Sequence, residues 1–320
     1  MAEEGREIDG VFAMISGAQG ADEHAVEAIE RAKNIPIWSG AVEPELLSGG
    51  LSNINLTVED GGEKFVVKVG KDEPHIGAIR ANELLAMRAT AKVGISPEVI
   101  YGEPGLVVIR FIEGKSLTPA DVREVRYLEG VAQSLKRLHR EAHKHLDGPG
   151  FIFWPFHHIR WYIRQLYDKK DTLDKRWLDR LPGYLEINDE AEEATGAVNI
   201  VFAHNDVLPQ NYIDDGKRLW LVDWEYAGYD SELFDLAGIG MNTEITLDKA
   251  TRFLEFYYET RPSDDLLRRY WAMMLATCLR ETTWSFLAEV TPRPVAFDYS
   301  VYSTMNVERL DRIYAVYKTF

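Results

Sequence analysis

The octapeptide His204-Asn205-Asp206-Val207-Leu208-Pro209-Gln210-Asn211, with Asp223 closing the apolar run Leu219-Trp220-Leu221-Val222-Asp223, constrains this chain more than any other feature. Between its two ends lies a hairpin signal: Asn211-Tyr212-Ile213, a polar turn at Asp214-Asp215-Gly216-Lys217, then Arg218 to Asp223. A hairpin brings its outer ends together, so Asn211 and Asp223 are expected to share one site. Each residue type has a chemical use. Asp206 can take the proton of a hydroxyl; Asn211 offers a neutral oxygen to a hard cation and Asp223 a charged one. Such a set places a base and two magnesium ligands around a transferring phosphoryl group. The competing reading is a polar turn capped by Asp and Asn. The strand-forming run Asn199-Ile200-Val201-Phe202-Ala203 puts the octapeptide between strands, where a catalytic loop belongs, and that context favours chemistry.

Composition narrows the class. A chain of 320 residues with 46% hydrophobic and 11% aromatic residues has material for two lobes with ample core. One cysteine, Cys278, excludes an internal disulfide and fits a reducing compartment; it sits in the apolar run Met273 to Leu279, where packing is its default role. The formal charge of −16 disfavours nucleic acid and anionic membrane as partners. The opening Met1-Ala2-Glu3-Glu4 is acidic where a signal peptide needs positive charge, and no apolar run reaches membrane-spanning length. The expectation is a soluble, cytoplasmic protein acting on a small molecule, a cationic one being mildly favoured. The sequence does not address its oligomeric state.

Texture changes along the chain. Residues 1–113 read as an N-terminal lobe of helix, strands, helix and strands; residues 114–320 read as a mainly helical second lobe interrupted by the short β motif. A hairpin is expected over Leu51 to Val58 and Lys64 to Val69 around Gly61-Gly62, followed by strands at Val99-Ile100-Tyr101 and Leu106 to Phe111. Ile112-Glu113-Gly114-Lys115 would be the hinge. Thr118-Pro119-Ala120-Asp121 starts a helix that Leu128, Val131, Leu135 and Leu138 continue. Leu247 to Tyr258, Ser263 to Val290 and Val301 to Tyr317 also read as helices. The plan is α+β, a small sheet-bearing lobe followed by a helical one.

Two anomalies support a phosphoryl-transfer site. Lys68 interrupts the strand formers Phe65-Val66-Val67-Lys68-Val69, where a lysine either lies on a solvated face or holds phosphates. Glu83 falls in an apolar stripe with Ile76, Ile79 and Met87, a costly position unless it is paired. Pairing Lys68 with Glu83 resolves both. Ser48-Gly49-Gly50-Leu51-Ser52-Asn53 is either a phosphate-approaching glycine loop or an ordinary turn. His139, His143 and His145 stand close enough for zinc, but Arg140 replaces the glutamate a metalloprotease needs, and the charged run reads as a solvated helix end.

Together these residues resemble the choline/ethanolamine kinase family within the aminoglycoside phosphotransferase superfamily, which has the protein-kinase-like fold. The resemblance runs from Leu47 to Tyr314 and is strongest in Phe202 to Asp206, Val222-Asp223-Trp224-Glu225-Tyr226-Ala227-Gly228-Tyr229 and Phe234-Asp235-Leu236-Ala237. It implies Asp206 as catalytic base, Asn211 and Asp223 as Mg²⁺ ligands, and Lys68 on the ATP phosphates with Glu83 as its partner. Ser52 and Asn53 would lie over the nucleotide, the backbone at Phe111 and Ile112 would meet the adenine, and His204 would brace the loop. Trp271 and Tyr299, with Trp284, would form an aromatic cage for a quaternary ammonium. Eukaryotic members carry a carboxylate where this chain has Asn242, which leaves Glu225, Asp230 or Glu244 as substitutes. The implied activity is ATP- and Mg²⁺-dependent phosphorylation of a small cationic alcohol, choline first. The alternatives are an aminoglycoside, ethanolamine, thiamine or sugar kinase, and a silent nucleotide-binding scaffold.

Overall fold

A computed structural model describes residues 23–47, 53–291 and 298–320. Residues 48–52 of the glycine loop, Ser52 among them, lie outside the described residues, whereas Asn53 is described.

Helix α1 (Glu23–Lys33) precedes an antiparallel sheet in the order β1-β2-β3-β5-β4. Its strands are β1 (Glu45–Leu47), β2 (Ile54–Asp60), β3 (Glu63–Val69), β4 (Val99–Glu103) and β5 (Leu106–Arg110). The β2–β3 turn is made by Gly61 and Gly62 at φ 60° and 81°, the left-handed pair that a tight hairpin needs and that other residues adopt at a cost. Strand periodicity then sorts β3. Phe65, Val67 and Val69 pack with Leu56, Val58 and Val108 against Ala28 and Ala32 of α1. Val66 and Lys68 face the other way, toward helix α2 (Arg80–Lys92). Lys68 is thus neither core nor solvated surface; it points into the space between sheet and second lobe.

Helix α2 begins at Arg80, so Ile76 and Ile79 precede it, with Ile79 as its N-cap. The apolar stripe expected over Ile76 to Met87 is therefore helical only in its second half, but Ile76, Glu83 and Met87 are all buried.

Past the hinge, β6 (Lys115–Ser116) pairs with β8, described below, so the chain enters the second lobe as a strand. The helix expected from Thr118 divides in two. Thr118 and Asp121 form a capping box on α3 (Pro119–Val122), and an extended Glu124 then caps α4 (Val125–Glu141). The break lets Val122 and Leu128 both reach the core. Helices α5 (Pro155–Asp168), α6 (Lys175–Leu178) and α7 (Leu181–Thr195) follow, then strand β7 (Ile200–Ala203). The hairpin β8 (Tyr212–Asp214) and β9 (Leu219–Leu221) forms as expected, with Tyr212 opposite Leu221. Strand β10 (Gly228–Ser231) pairs with β7. Helices α8 (Glu232–Asn242), α9 (Leu247–Tyr258), α10 (Asp264–Glu289) and α11 (Tyr299–Tyr317) complete the chain.

The long helix α10 is buried along most of its length and is the axis of the helical lobe, where Tyr270, Met273, Leu275, Leu279 and Phe286 join one core with α5, α7 and α8. Cys278 is buried there, in the packing role expected. This is the two-lobed, protein-kinase-like α+β architecture. No helix among the described residues is long and apolar enough to cross a membrane.

Candidate active site

The octapeptide links β7 to β8, and its first residues are held from below by one carboxylate. Asp235, buried on α8, accepts from the backbone N–H of His204 (2.8 Å) and of Asn205 (2.7 Å), and contacts His139 Nε2 at 3.0 Å. His139 Nδ1 in turn meets the Tyr257 hydroxyl at 2.7 Å. The histidine cluster is thus not wholly a solvated helix end. His143 is exposed, but His139 is a buried strut beneath the loop. Among the described residues no three His, Cys, Asp or Glu side chains form a metal-binding group.

His204 bonds the Val222 carbonyl through Nε2 (3.0 Å) and accepts the Asp206 N–H at Nδ1 (3.2 Å). This pattern needs the neutral ring, and burial lowers the His204 pKa to match. Asn205 and Asp223 have φ of 66° and 71°, a left-handed backbone that non-glycine residues hold only under support. Asn205 finds that support in Asp235 and in its own amide bond to the Tyr226 carbonyl (2.9 Å).

The hairpin does what the sequence required of it. Val222 N–H donates to the Asn211 carbonyl (3.0 Å), so Asn211 and Asp223 lie side by side. The Asn211 amide nitrogen donates to the Asp206 carbonyl (3.2 Å), which leaves its amide oxygen for a ligand. One carboxylate and one amide oxygen fit a hard cation whose remaining sites are filled by phosphate and water, which is the habit of Mg²⁺.

Lys68 meets both Glu83 and Asp223 at 2.5 Å. Burial works against its charge, but Asp223 and Glu83 outweigh it and hold the ammonium above its ordinary pKa. Burial likewise opposes ionisation of Asp223, and Lys68 reverses this to hold the carboxyl below its usual range. Arg80, which drew no attention in the sequence, is buried between Glu83 (2.9 Å) and Glu225 (3.1 Å). Asn53 donates to the other Glu225 oxygen (3.0 Å). Glu225 therefore ties the two lobes through Arg80, and Asn53 is a buried partner of that tie. The other two proposed substitutes are also engaged: Glu244 pairs with Arg312 (3.1 Å), and Asp230 is fully buried, bonded to the Ser231 N–H.

At the hinge, Phe111 N–H pairs with the Lys64 carbonyl (2.9 Å), so that N–H is already engaged. Phe111 and Ile112 line a cleft of about 1030 Å³ with Leu85, Val99 and Trp220, and neither Lys68 nor Asp223 borders it.

On its far side Asp206 faces α10. Arg280, buried, donates to Glu281 through Nη1 (2.8 Å) and to the Asn205 carbonyl through Nη2 (3.4 Å); Nη2 also stands 3.6 Å from Asp206 Oδ1. Its guanidinium lies over the rings of Tyr226 (5.2 Å) and Phe153 (5.7 Å). Burial pushes the Asp206 carboxyl up to about 8, Arg280 pulls the other way, and Glu281 and Asp223 add to the rise. Tyr302 donates its hydroxyl to Glu281 (2.7 Å), and the Trp284 ring stands edge-on to Tyr302 (6.5 Å) and Tyr299 (6.2 Å). Trp271 is not part of this group. It packs against Tyr270 and Phe320, thirteen residues back along α10. That separation is about 20 Å and places it on a nearly opposite helix face.

Trp284, Tyr299 and Tyr302 thus form one aromatic group, and the Glu281 carboxylate is bonded to it through Tyr302. Asn242 bonds the Val207 carbonyl (3.2 Å) and steadies the loop. Glu281 lies between the two tryptophans that drew attention to the helix, and its i, i+3 relation to Trp284 was the one signal that could have revealed it.

Comparison with known proteins shows the family and the fold. The family model described as choline/ethanolamine kinase matches residues 45–280. A probable ethanolamine kinase of Arabidopsis thaliana is 27% identical over 295 residues, covering 81% of this chain and 76% of that one. The crystal structure of a choline/ethanolamine kinase family protein from Mesorhizobium loti superposes with a TM-score of 0.70 at 26% identity, over 91% of this chain and 94% of the other. An ethanolamine kinase of Plasmodium vivax, at 16% identity, shares the fold with a TM-score of 0.71 over 96% of this chain and 94% of its own.

Proposed function

This chain belongs to the choline/ethanolamine kinase family, and from that premise we propose that it transfers the γ-phosphoryl group of ATP to the hydroxyl of a small cationic alcohol. Choline, which the sequence put first, and ethanolamine are the two candidate acceptors. The observation that carries the reading is the position of Asp206, between the Lys68–Glu83–Asp223 group on one side and the Arg280–Glu281–Tyr302–Trp284 group on the other. The first group presents a cation suited to phosphate oxygens. The second presents aromatic faces and a carboxylate suited to an ammonium.

In this reading Asp206 accepts the acceptor's proton as its oxygen attacks the γ-phosphorus. The new O–P bond forms while the bond to the ADP bridging oxygen breaks, and the electron pair leaves with ADP. Lys68 holds the donor phosphates, and Glu83 fixes the direction of Lys68. Asn211 and Asp223 would hold Mg²⁺, which when bound supplies charge neutralisation on the phosphates. His204, Asn205 and Asp235 keep the loop in place, so little reorganisation accompanies the reaction.

The test is ATP consumption with Mg²⁺ across choline, ethanolamine, thiamine and kanamycin, with Asp206→Asn as the blank. Transfer to choline or ethanolamine, lost by about 10³-fold or more in the variant, is the expected outcome. Transfer only to thiamine or kanamycin would replace the acceptor class. Turnover near the wild-type level in Asp206→Asn would overturn the mechanism.

A further inference from the structure

We infer that Glu281 selects the nitrogen of the acceptor, favouring an ammonium that still carries N–H groups over one that is fully methylated. The inference rests on the amino-alcohol kinase reading above and adds a specificity-determining residue to it.

Glu281 and Trp284 are one helical turn apart on α10 and so share a face. That face would be a continuous aromatic wall with Tyr299 and Tyr302 if residue 281 were apolar. A carboxylate stands there instead, only 14% exposed. It is held at both oxygens: Oε1 accepts from Tyr302 (2.7 Å) and Oε2 from Arg280 (2.8 Å). An ionised carboxylate has about four lone-pair directions. Two are taken by these partners, so the group is fixed in place and retains acceptor capacity.

Distance supports the assignment. Arg280 bridges the two carboxylates, reaching Glu281 at 2.8 Å with Nη1 and lying 3.6 Å from Asp206 with Nη2. The terminal nitrogens of a guanidinium are about 2.3 Å apart in a rigid fork, so the Glu281 and Asp206 oxygens are separated by roughly 9 Å at most. A two-carbon amino alcohol spans about 3–4 Å from oxygen to nitrogen, and with a hydrogen bond of about 2.8 Å at each end it can reach across any separation up to about that limit. Its hydroxyl would meet Asp206 while its nitrogen meets Glu281.

A primary ammonium can donate to the remaining lone pairs of Glu281 in charge-assisted hydrogen bonds. A quaternary ammonium has no proton to donate and binds through aromatic faces, which the Glu281 carboxylate does not provide. Sites built to receive a hydrogen bond reject analogues that lack the donor far more strongly than apolar pockets reject a methyl group.

The experiment is kcat/KM for ethanolamine, N-methylethanolamine, N,N-dimethylethanolamine and choline, measured on the full chain with Mg-ATP. The wild type should lose activity stepwise along the series, by about 10-fold or more from first to last. Glu281→Gln keeps the shape and an acceptor for Arg280 or Tyr302 but loses the charge, and should compress that range to within about 3-fold. Tyr302→Phe keeps the ring but removes one of the two partners that fix the Glu281 carboxylate in place, and should compress it partly; should Glu281→Gln fail to fold, this variant and the wild-type series decide. A wild-type profile that is flat or rises toward choline would overturn the inference, as would a Glu281→Gln loss equal on all four acceptors. Transfer to none of the four would remove the amino-alcohol reading itself, and this inference with it.

Discussion

The two sides of Asp206 are built on different principles. On the donor side the charged groups alternate in sign from Asp223 through Lys68, Glu83 and Arg80 to Glu225, and the connections cross between the lobes. On the acceptor side, Arg280, Glu281 and Trp284 come from little more than one turn of a single helix, with Tyr299 and Tyr302 added by the helix that follows. The donor side therefore depends on how two lobes meet, and damage there should be felt as stability as well as activity. The acceptor side can be re-cut by changing adjacent residues on one rigid rod.

The largest expected effect tests the interlobe character of the donor side. Arg80→Ala leaves Glu83 and Glu225 buried with too little positive charge, and should cost about 3–5 kcal/mol of unfolding free energy in urea titration. A loss under 1 kcal/mol would mean that the lobes meet without this lattice. Next, Lys68→Ala should lower kcat/KM for ATP by about 100-fold while leaving the apparent affinity for the acceptor close to wild type. An equal change in both would mean that the two sides are coupled more tightly than their separate construction implies.

A smaller effect concerns Asp206 in the free protein. Its ordinary pKa is 3.8, and burial raises it to about 8 in the folded chain. An acid with a raised folded pKa holds its proton longer in the folded state, so it lowers stability progressively as pH climbs from about 4 to about 8. Asp206→Asn removes that penalty. The variant should match the wild type near pH 4 and exceed it by about 1–3 kcal/mol at pH 8, read from melting temperature against pH. A constant difference across that range would refute the assignment. The smallest effect separates two tryptophans. Trp284→Phe should raise the acceptor KM by about 10-fold, whereas Trp271→Phe, at the far end of α10, should leave it unchanged.

The sequence revealed the donor side wherever a residue was out of place locally. A lysine among strand formers and a glutamate among apolar helix positions are conflicts with their immediate surroundings, and pairing Lys68 with Glu83 was the economical resolution. Asp206, Asn211 and Asp223 were legible because a hairpin fixes their mutual distance over a short stretch of chain. Arg80 and Glu281 were not, because a charged residue flanked by mixed sequence breaks no local rule. Only tertiary burial makes them unusual. Glu225 misled for the same reason: its carboxylate was free to be assigned until Arg80 and Asn53 were seen to claim it. Trp271 misled because a helix carries aromatics at both ends and on both faces, and composition does not say which end meets the loop. The division of the Thr118 helix at Glu124 was hidden as well, since its apolar spacing continues across the break.

Asp235 has one more consequence. Its two oxygens receive the successive amides of His204 and Asn205, and His139 closes off the same carboxylate from α4. These two N–H groups cannot meet solvent unless α8 parts from the loop, so their deuterium uptake should follow opening of the whole helical lobe and not local fraying. The loop that would carry out the chemistry thus belongs, by exchange rate, with the slowest part of the molecule. Binding either substrate then incurs almost no ordering entropy there.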